Sequence, residues 1–267
     1  MELNSEWQSW ICQNVFRRCK PIDMLTSMVQ AQWPEDQAID ALESMGLTLR
    51  VPRPMIQEHL ILAKKNIPGL YLLDEVLTPE QCQQLIDLAK HKGFNRSMVI
   101  NESTGEDISH LHRTSSGTSL LHDETPFINE IEARLAALTQ WPVSHGEHLQ
   151  VLYYEPGQEY KAHVDWFDPN LPGSTRHLQK GGQRVATMVI YLQVCEKGGS
   201  TSFPMLDLNM RPRQGGAIFF HNVDKVGRHS PLTLHAGDPV IEGVKIVMTY
   251  WQREQAFHEE KETTCQP

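Results

Sequence analysis

The chain has 267 residues, 40% of them hydrophobic and 21% charged, with a formal net charge of −9. That length buries a core without staples and allows one large domain with a small extra module. The acidic balance argues against generic binding to nucleic acid or anionic membrane. No apolar run approaches the roughly 20 residues of a spanning helix, and the opening Met1-Glu2-Leu3-Asn4-Ser5-Glu6 lacks the basic-then-apolar pattern of a secretory signal. Five scattered cysteines (Cys12, Cys19, Cys82, Cys195 and Cys265), with no C-x-x-C pair, indicate neither a zinc knuckle nor a disulfide framework. Reduced thiols in a cytoplasmic protein are expected.

The first 65 or so residues read as helical. Trp7, Trp10, Ile11 and Phe16 sit among polar residues, and after Trp33-Pro34-Glu35-Asp36 the residues Ala38, Ile39, Ala41, Leu42 and Met45 recur at helical spacing until Gly46. Such amphipathic helices mostly serve packing in a small bundle, with a partner-binding module as the alternative. Val51-Pro52-Arg53-Pro54 marks a break, because each proline disfavours helix in the residue before it. The expected organisation is a helical module over 1–62, a main domain over 63–255 and a polar tail over 256–267.

Thr78-Pro79-Glu80-Gln81 starts a helix with a capping box and a proline in the first turn, running to about His91 and ending at Gly93. A second helix follows Pro126, with Phe127, Ile131, Leu135 and Leu138 on one face. The polar stretch between them, Asn95 to Leu121, is expected to form irregular strands and loops. From Leu149 onward short strands alternate with glycine and proline: Leu149–Tyr154, Tyr160–His163, Arg184–Val194, Thr201–Phe203, Ala217–His221, Leu232–His235 and Val244–Trp251. Helices first and many short strands after predict an α+β chain built around a jelly roll.

His163-Val164-Asp165 places an imidazole and a carboxylate at i and i+2, on one face of a strand. With a second histidine from another strand they would form a two-histidine, one-carboxylate face with open positions, the arrangement of non-haem Fe(II) oxygenases. Alone the spacing is weak, since His145-Gly146-Glu147 has it too.

The surroundings are more specific. Tyr153-Tyr154-Glu155-Pro156-Gly157 leads into Tyr160 and His163. Then come Arg184-Val185-Ala186-Thr187, Gly198-Gly199-Ser200-Thr201-Ser202-Phe203-Pro204, Pro212-Arg213-Gln214-Gly215-Gly216-Ala217, and Leu234-His235-Ala236-Gly237-Asp238-Pro239 followed by Gly243-Val244-Lys245. This ordered series resembles the prolyl 4-hydroxylase family of Fe(II)- and 2-oxoglutarate-dependent dioxygenases, from about Ile67 to Arg253. The resemblance implies a double-stranded β-helix, a form of jelly roll, over the main domain.

The resemblance also implies a site. Iron, Fe(2+), would be held by His163, Asp165 and His235; of the late histidines His221, His229, His235 and His258, only His235 stands between two strands in the family's position. A lysine on an otherwise apolar strand either faces water or meets an anion, and the resemblance gives Lys245 the far carboxylate of 2-oxoglutarate. Tyr154, Thr201 and Trp251 match positions around that co-substrate. Tyr160 falls on the face opposite His163 if its strand is regular, and His221 is either a pocket residue or a plain strand end. Arg113 and Ser115, within Arg113-Thr114-Ser115-Ser116, match a mobile loop that covers a peptide substrate, with Arg184 a further peptide contact. Asp168–Gly182 reads as a flexible loop suited to a lid.

The activity implied is hydroxylation coupled to conversion of 2-oxoglutarate and O2 to succinate and CO2. L-ascorbate would keep the iron reduced. The expected substrate is a prolyl residue in a peptide or protein, with no nucleic-acid or membrane partner; the oligomeric state is left open. The alternatives are the same chemistry on a free amino acid or another side chain, a catalytically silent peptide-binding module, and a zinc hydrolase.

Overall fold

The computed structural model describes residues 2–56, 61–64, 69–96, 99–100, 107–108 and 113–258. Cys265 and all but the start of the expected tail lie outside them. The chain forms two compact units, Met1–Pro52 with Lys225–Arg228, and Arg53–Asp224 with His229–Pro267. The division falls after Pro52, inside the proline-rich break and ahead of residue 62.

The first unit is built of α1 (Ser5–Phe16), α2 (Pro21–Gln30) and α3 (Glu35–Ser44). The Asn4 side chain caps α1 by accepting the Trp7 amide, and Pro21 opens α2 in its first turn. Ile11, Met24, Leu25, Met28, Ala38, Ile39 and Leu42 close a core over which Trp33 packs. The tetrapeptide 225–228 completes this unit. Val226 packs on the same core, Lys225 pairs with Asp36, and Arg228 lies 2.6 Å from Glu35.

In chain order the second unit contains β1 (Ile61–Lys64), β2 (Leu70–Leu73), α4 (Pro79–Lys92), β3 (Asn95–Arg96), β4 (Val99–Ile100), β5 (Asp107–Ile108), β6 (Ser116–Leu120) and α5 (Pro126–Thr139). There follow β7 (Leu149–Tyr154), β8 (Tyr160–His163), α6 (Ser174–Leu178), β9 (Arg184–Gln193), β10 (Lys197–Gly198), β11 (Thr201–Phe203) and β12 (Leu208–Met210). The last are β13 (Ala217–His221), β14 (His235–Gly237), β15 (Val240–Glu242) and β16 (Lys245–Arg253).

The larger sheet runs β1-β2-β13-β9-β16-β7-β6-β3 and the smaller β12-β11-β14-β8, while β10 pairs with β15 and β4 with β5. The α+β jelly roll expected from the sequence is the architecture found. Thr78 and Gln81 form the capping box of α4, and Thr125 caps α5 by accepting the Ile128 amide.

Strand alternation separates two cores. On β9 and β16, Ala186, Met188, Ile190, Ile246, Met248 and Tyr250 pack with Leu85 and Ile86 of α4 and Ile131 and Leu135 of α5. The intervening Val189, Tyr191 and Val247 face inward with Phe203 of the smaller sheet. Lys245, Val247, Thr249 and Trp251 of β16 therefore point into the roll.

Two local expectations need correction. The strand expected over Leu232–His235 is a 3-10 turn at Pro231–Thr233, with β14 starting only at His235. Pro231 has no amide proton to give a ladder, which favours the turn. The loop over 168–182 is not wholly irregular, because α6 lies within it.

Candidate active site

His163 ends β8 and His235 opens β14, and the two are direct partners in register across that pair. Their ring centroids are 4.3 Å apart. Asp165 follows two residues after His163, with Oδ1 at 3.8 Å from Nε2 of His163 and Oδ2 at 3.7 Å from Nε2 of His235. Nδ1 of His163 lies 2.9 Å from the Lys161 carbonyl, and Nδ1 of His235 lies 2.9 Å from the Thr233 carbonyl. A carbonyl only accepts, so each Nδ1 carries a proton, and Nε2 is the nitrogen left to face Asp165 and a metal.

Electrostatics point the same way. Burial, with His235 close by, holds His163 well below its ordinary range, at about 3. Burial alone would raise Asp165, but His235, His163, Arg184 and the Thr187 hydrogen bond outweigh it and hold the carboxyl down. A neutral His163 and an ionised Asp165 carboxylate are the protonation states a metal ligand requires. The three donor atoms lie within 4.8 Å of one another, the one such cluster among the described residues. Two imidazoles and one carboxylate suit Fe(II) and leave positions free, so the residues fit the metal that the sequence implied.

The cavity at this cluster is lined by Arg113, Tyr154, Tyr160, Thr201, Lys245 and Trp251, among others. Lys245 is 2% exposed. Its Nζ stands 5.2 Å from the ring centres of both Tyr154 and Tyr191 and 3.5 Å from the Ser200 carbonyl. It makes no ion pair among the described residues, and burial pulls its pKa down to about 8, against weaker opposing pulls from Cys195 and Asp238. A buried ammonium of this kind invites an anion. Gly199, at φ +67°, clears its path, since a Cβ there would sit 2.6 Å from the Cys195 sulfur and 3.2 Å from Lys245 Cδ. Thr201 Oγ1 is 2.8 Å from the Tyr191 hydroxyl, so two hydroxyls stand together on this side of the roll.

The structure places the residues whose facing the sequence left open, and moves others. Tyr160 stacks on His163, centroids 3.6 Å apart at 18°, rather than facing away. The register slips between His235/His163 and Gly237/Tyr160, so β8 carries one extra residue and its facing inverts. His221 does not line the cavity; its Nε2 is 2.7 Å from the Pro54 carbonyl.

Arg184 does not line it either. Its guanidinium is held by Glu147 at 2.6 and 2.8 Å and lies over Trp251, behind the cavity wall. Arg113 and Ser115 are buried rather than part of an open loop. Arg113 bridges to Tyr160 and gives Nη2 to Gln150 at 2.9 Å, and the Thr114 amide donates to the Glu159 carbonyl at 3.1 Å. This edge pairing pins the segment, and of its four residues only Arg113 lines the cavity. Residues 97–98, 101–106 and 109–112 of the expected loop lie outside the described residues.

The sequence reading passed over Val247 and Thr249, which line the cavity beside Lys245, and Tyr191. Counting by twos along β16 from Lys245, and along β9 from Thr187, finds all three.

A jelly roll carrying this donor set, with a buried lysine in the same cavity, defines a class, and comparison with known proteins agrees. Residues 149–253 match the 2OG-Fe(II) oxygenase superfamily, and the protein is a 2-oxoglutarate-dependent dioxygenase. Prolyl 4-hydroxylase 1 of Arabidopsis thaliana is 37% identical over 204 residues, covering 71% of this chain and 70% of the relative. Probable prolyl 4-hydroxylase 10 of the same plant is 39% identical, covering 70% and 69%. The crystal structure of a viral collagen prolyl hydroxylase from Paramecium bursaria Chlorella virus-1, in complex with 2-oxoglutarate, superposes with a TM-score of 0.55 at 29% identity, over 70% of this chain and 97% of that one. The chain belongs to the prolyl 4-hydroxylase family.

Proposed function

We propose that this enzyme hydroxylates a prolyl residue in a peptide or protein, with His163, Asp165 and His235 holding Fe(II) and Lys245 holding the distal carboxylate of 2-oxoglutarate. One observation carries the reading. Both imidazoles spend their Nδ1 protons on carbonyls and aim Nε2 toward Asp165, in the cavity that buries Lys245. The relatives' names support the prolyl substrate.

When bound, the metal and its co-substrate supply oxidative decarboxylation of 2-oxoglutarate coupled to insertion of one oxygen atom into a substrate C–H bond. The chain's own residues bind and orient. Lys245 offers its charge where water is excluded, so a carboxylate meeting it is held far more strongly than at the surface. Thr201 and Tyr154 line the same cavity and can donate hydroxyl protons to that anion. Tyr160, stacked on His163 and beneath Arg113 (4.8 Å from its ring centre), restrains the imidazole plane. Trp251 and Arg113 form walls against which a peptide can be placed. Ascorbate, by family analogy, keeps the iron reduced. The unpaired thiols of Cys12, Cys19, Cys82 and Cys195 support a reducing, cytoplasmic setting.

The test is incubation of the purified protein with a proline-containing peptide library, Fe(II), 2-oxoglutarate and ascorbate. Mass spectrometry should find peptides heavier by one oxygen atom on proline, with one succinate formed per hydroxylation. Product on a free amino acid or another side chain would move the substrate assignment. Absence of 2-oxoglutarate turnover with every substrate would leave a peptide-binding module.

A further inference from the structure

Behind Asp165 runs a short hydrogen-bond chain whose two members, Thr187 and Asn222, do not line the cavity. Thr187 Oγ1 lies 2.8 Å from Asp165 Oδ2, and Asn222 Nδ2 lies 3.0 Å from the same hydroxyl oxygen. Thr187 and Asn222 are both 0% exposed. The direction of this chain follows from donor counting. A threonine hydroxyl has one proton, and an amide nitrogen can only donate. Thr187 therefore accepts from Asn222 and has its single proton left for Asp165. The reversed amide would set Asn222 Oδ1 and Asp165 Oδ2 in competition for that proton and turn the Nδ2 donors to the side where no partner stands, leaving more buried groups unsatisfied than the orientation described.

Asn222 is itself well held. Just beyond β13, its amide donates to the Val185 carbonyl at 2.9 Å and its carbonyl accepts the Ser230 amide at 3.0 Å. Its Oδ1 has no partner among the described residues, so the side chain's polar contact is this one. A buried amide that leaves its own oxygen orphaned is costly to keep, unless the contact made by its nitrogen serves a purpose.

We propose that Asn222 is a positioning residue for the metal centre. Through the Thr187 hydroxyl it locks the Asp165 carboxylate in the rotamer that faces His163 and His235, and so sets metal affinity without touching metal or substrate. This rests on the assignment of Asp165 as a ligand. Groups that orient metal ligands in this way typically change affinity by about 10–100-fold when removed.

The experiment titrates the full-length protein with Co(II) alone, following the visible d–d absorption, with thermal denaturation as the check on folding. Asn222→Leu should weaken Co(II) binding about 10-fold and alter the absorption envelope, and Thr187→Val should weaken it by about 10–100-fold. Thr187→Ser keeps the hydroxyl and should stay near wild type. The double variant Thr187→Val/Asn222→Leu should be no weaker than Thr187→Val, because Asn222 acts only through that oxygen. Wild-type affinity and spectrum in Asn222→Leu, or fully additive losses in the double variant, would overturn the proposal.

If Asn222→Leu does not fold, Asn222→Asp decides. It has nearly the same shape but presents an acceptor to Thr187, so the same loss is expected, and unchanged Co(II) binding would overturn the role. The underlying assignment is tested apart from this. Co(II) bound equally well by His163→Ala and Asp165→Ala would remove the metal site itself, whatever Asn222 does.

Discussion

The guanidinium of Arg184 lies 3.8 Å from the ring centre of Trp251, and its fork is gripped by Glu147. Glu147 also accepts from Arg253 at 2.6 Å. A buried carboxylate between two arginines thus stands behind the aromatic wall of the cavity. Breaking such a group by removing one member costs about 3–5 kcal/mol, because the remaining charges stay buried. Glu147→Ala is therefore expected to lower the unfolding free energy by that order, read from the denaturant midpoint. An unchanged midpoint would mean that the triad contributes nothing. His145→Ala, by contrast, should leave Co(II) binding intact.

The metal ligands give the simplest functional expectation. His163→Ala, Asp165→Ala and His235→Ala should each abolish succinate formation and keep a native circular dichroism spectrum. Retained turnover in His235→Ala would move the second imidazole elsewhere.

Lys245 provides both a mutational and a pH expectation. Lys245→Ala should raise the 2-oxoglutarate requirement by about two to four powers of ten, from the roughly 3–5 kcal/mol lost when a desolvated charge loses its partner. Metal affinity should change much less. The folded pKa of about 8 lies below the ordinary lysine value, so the free protein holds a cation below pH 8 and loses it above. The apparent dissociation constant for 2-oxoglutarate should accordingly rise as pH climbs through 8. Lys245→Arg should recover part of the affinity and flatten that rise, because a guanidinium does not titrate there. A wild-type profile identical to that of the arginine variant would sink the assignment.

His122 should make stability depend on pH with the opposite dependence from a carboxylate. Its Nδ1 lies 2.6 Å from Glu132 Oε1 and its Nε2 3.2 Å from the Gly146 carbonyl. Both partners accept, so the ring is held as an imidazolium, and the Glu132 hydrogen bond raises its pKa against the pull of burial. A folded value above the unfolded one of about 6.5 gives stability that is fully present below pH 6.5. That stability is lost as pH rises through the raised folded value. The difference in melting temperature between wild type and His122→Phe should therefore shrink from mildly acid to alkaline buffer; a constant difference would count against a charged ring.

The helical unit should be separable at a local cost. Neither core of the second unit includes a residue before Arg53, so a chain starting at Arg53 is expected to fold. Lys225 and Arg228 would lose Asp36 and Glu35, and Val226 its apolar bed. Limited proteolysis should then cut preferentially at 225–228. An insoluble truncated chain would show that the first unit is needed for folding.

What the sequence could and could not show follows from the range of each interaction. His163 and Asp165 were legible because they stand two residues apart, the first ending β8 and the second just beyond it, so one short extended segment turns both the same way. The capping box at Thr78 and Gln81 was legible for the same reason of locality. Glu147 was read as a rival to Asp165 because His145 and Glu147 share the same spacing. The structure has a 3-10 turn at Val143–His145, and Glu147 finds arginines 37 and 106 positions away. The grip of Glu147 on Arg184 was hidden for the same reason, the two being 37 positions apart. Tyr160 stayed open, because its facing depends on a bulge that only the pairing with the neighbouring strand reveals.

The two-sidedness of β16 constrains how this enzyme can diversify. Lys245, Val247, Thr249 and Trp251 line the cavity, while Ile246, Met248 and Tyr250 lie in the helix-covered core. Single substitutions can retune either side independently. Gain or loss of one residue within the strand would exchange the two sides, driving an ammonium into oil and methionine toward the metal. The length of this strand is therefore more tightly held than the identity of most of its residues, changing only in steps of two unless a compensating bulge arises in the same lineage.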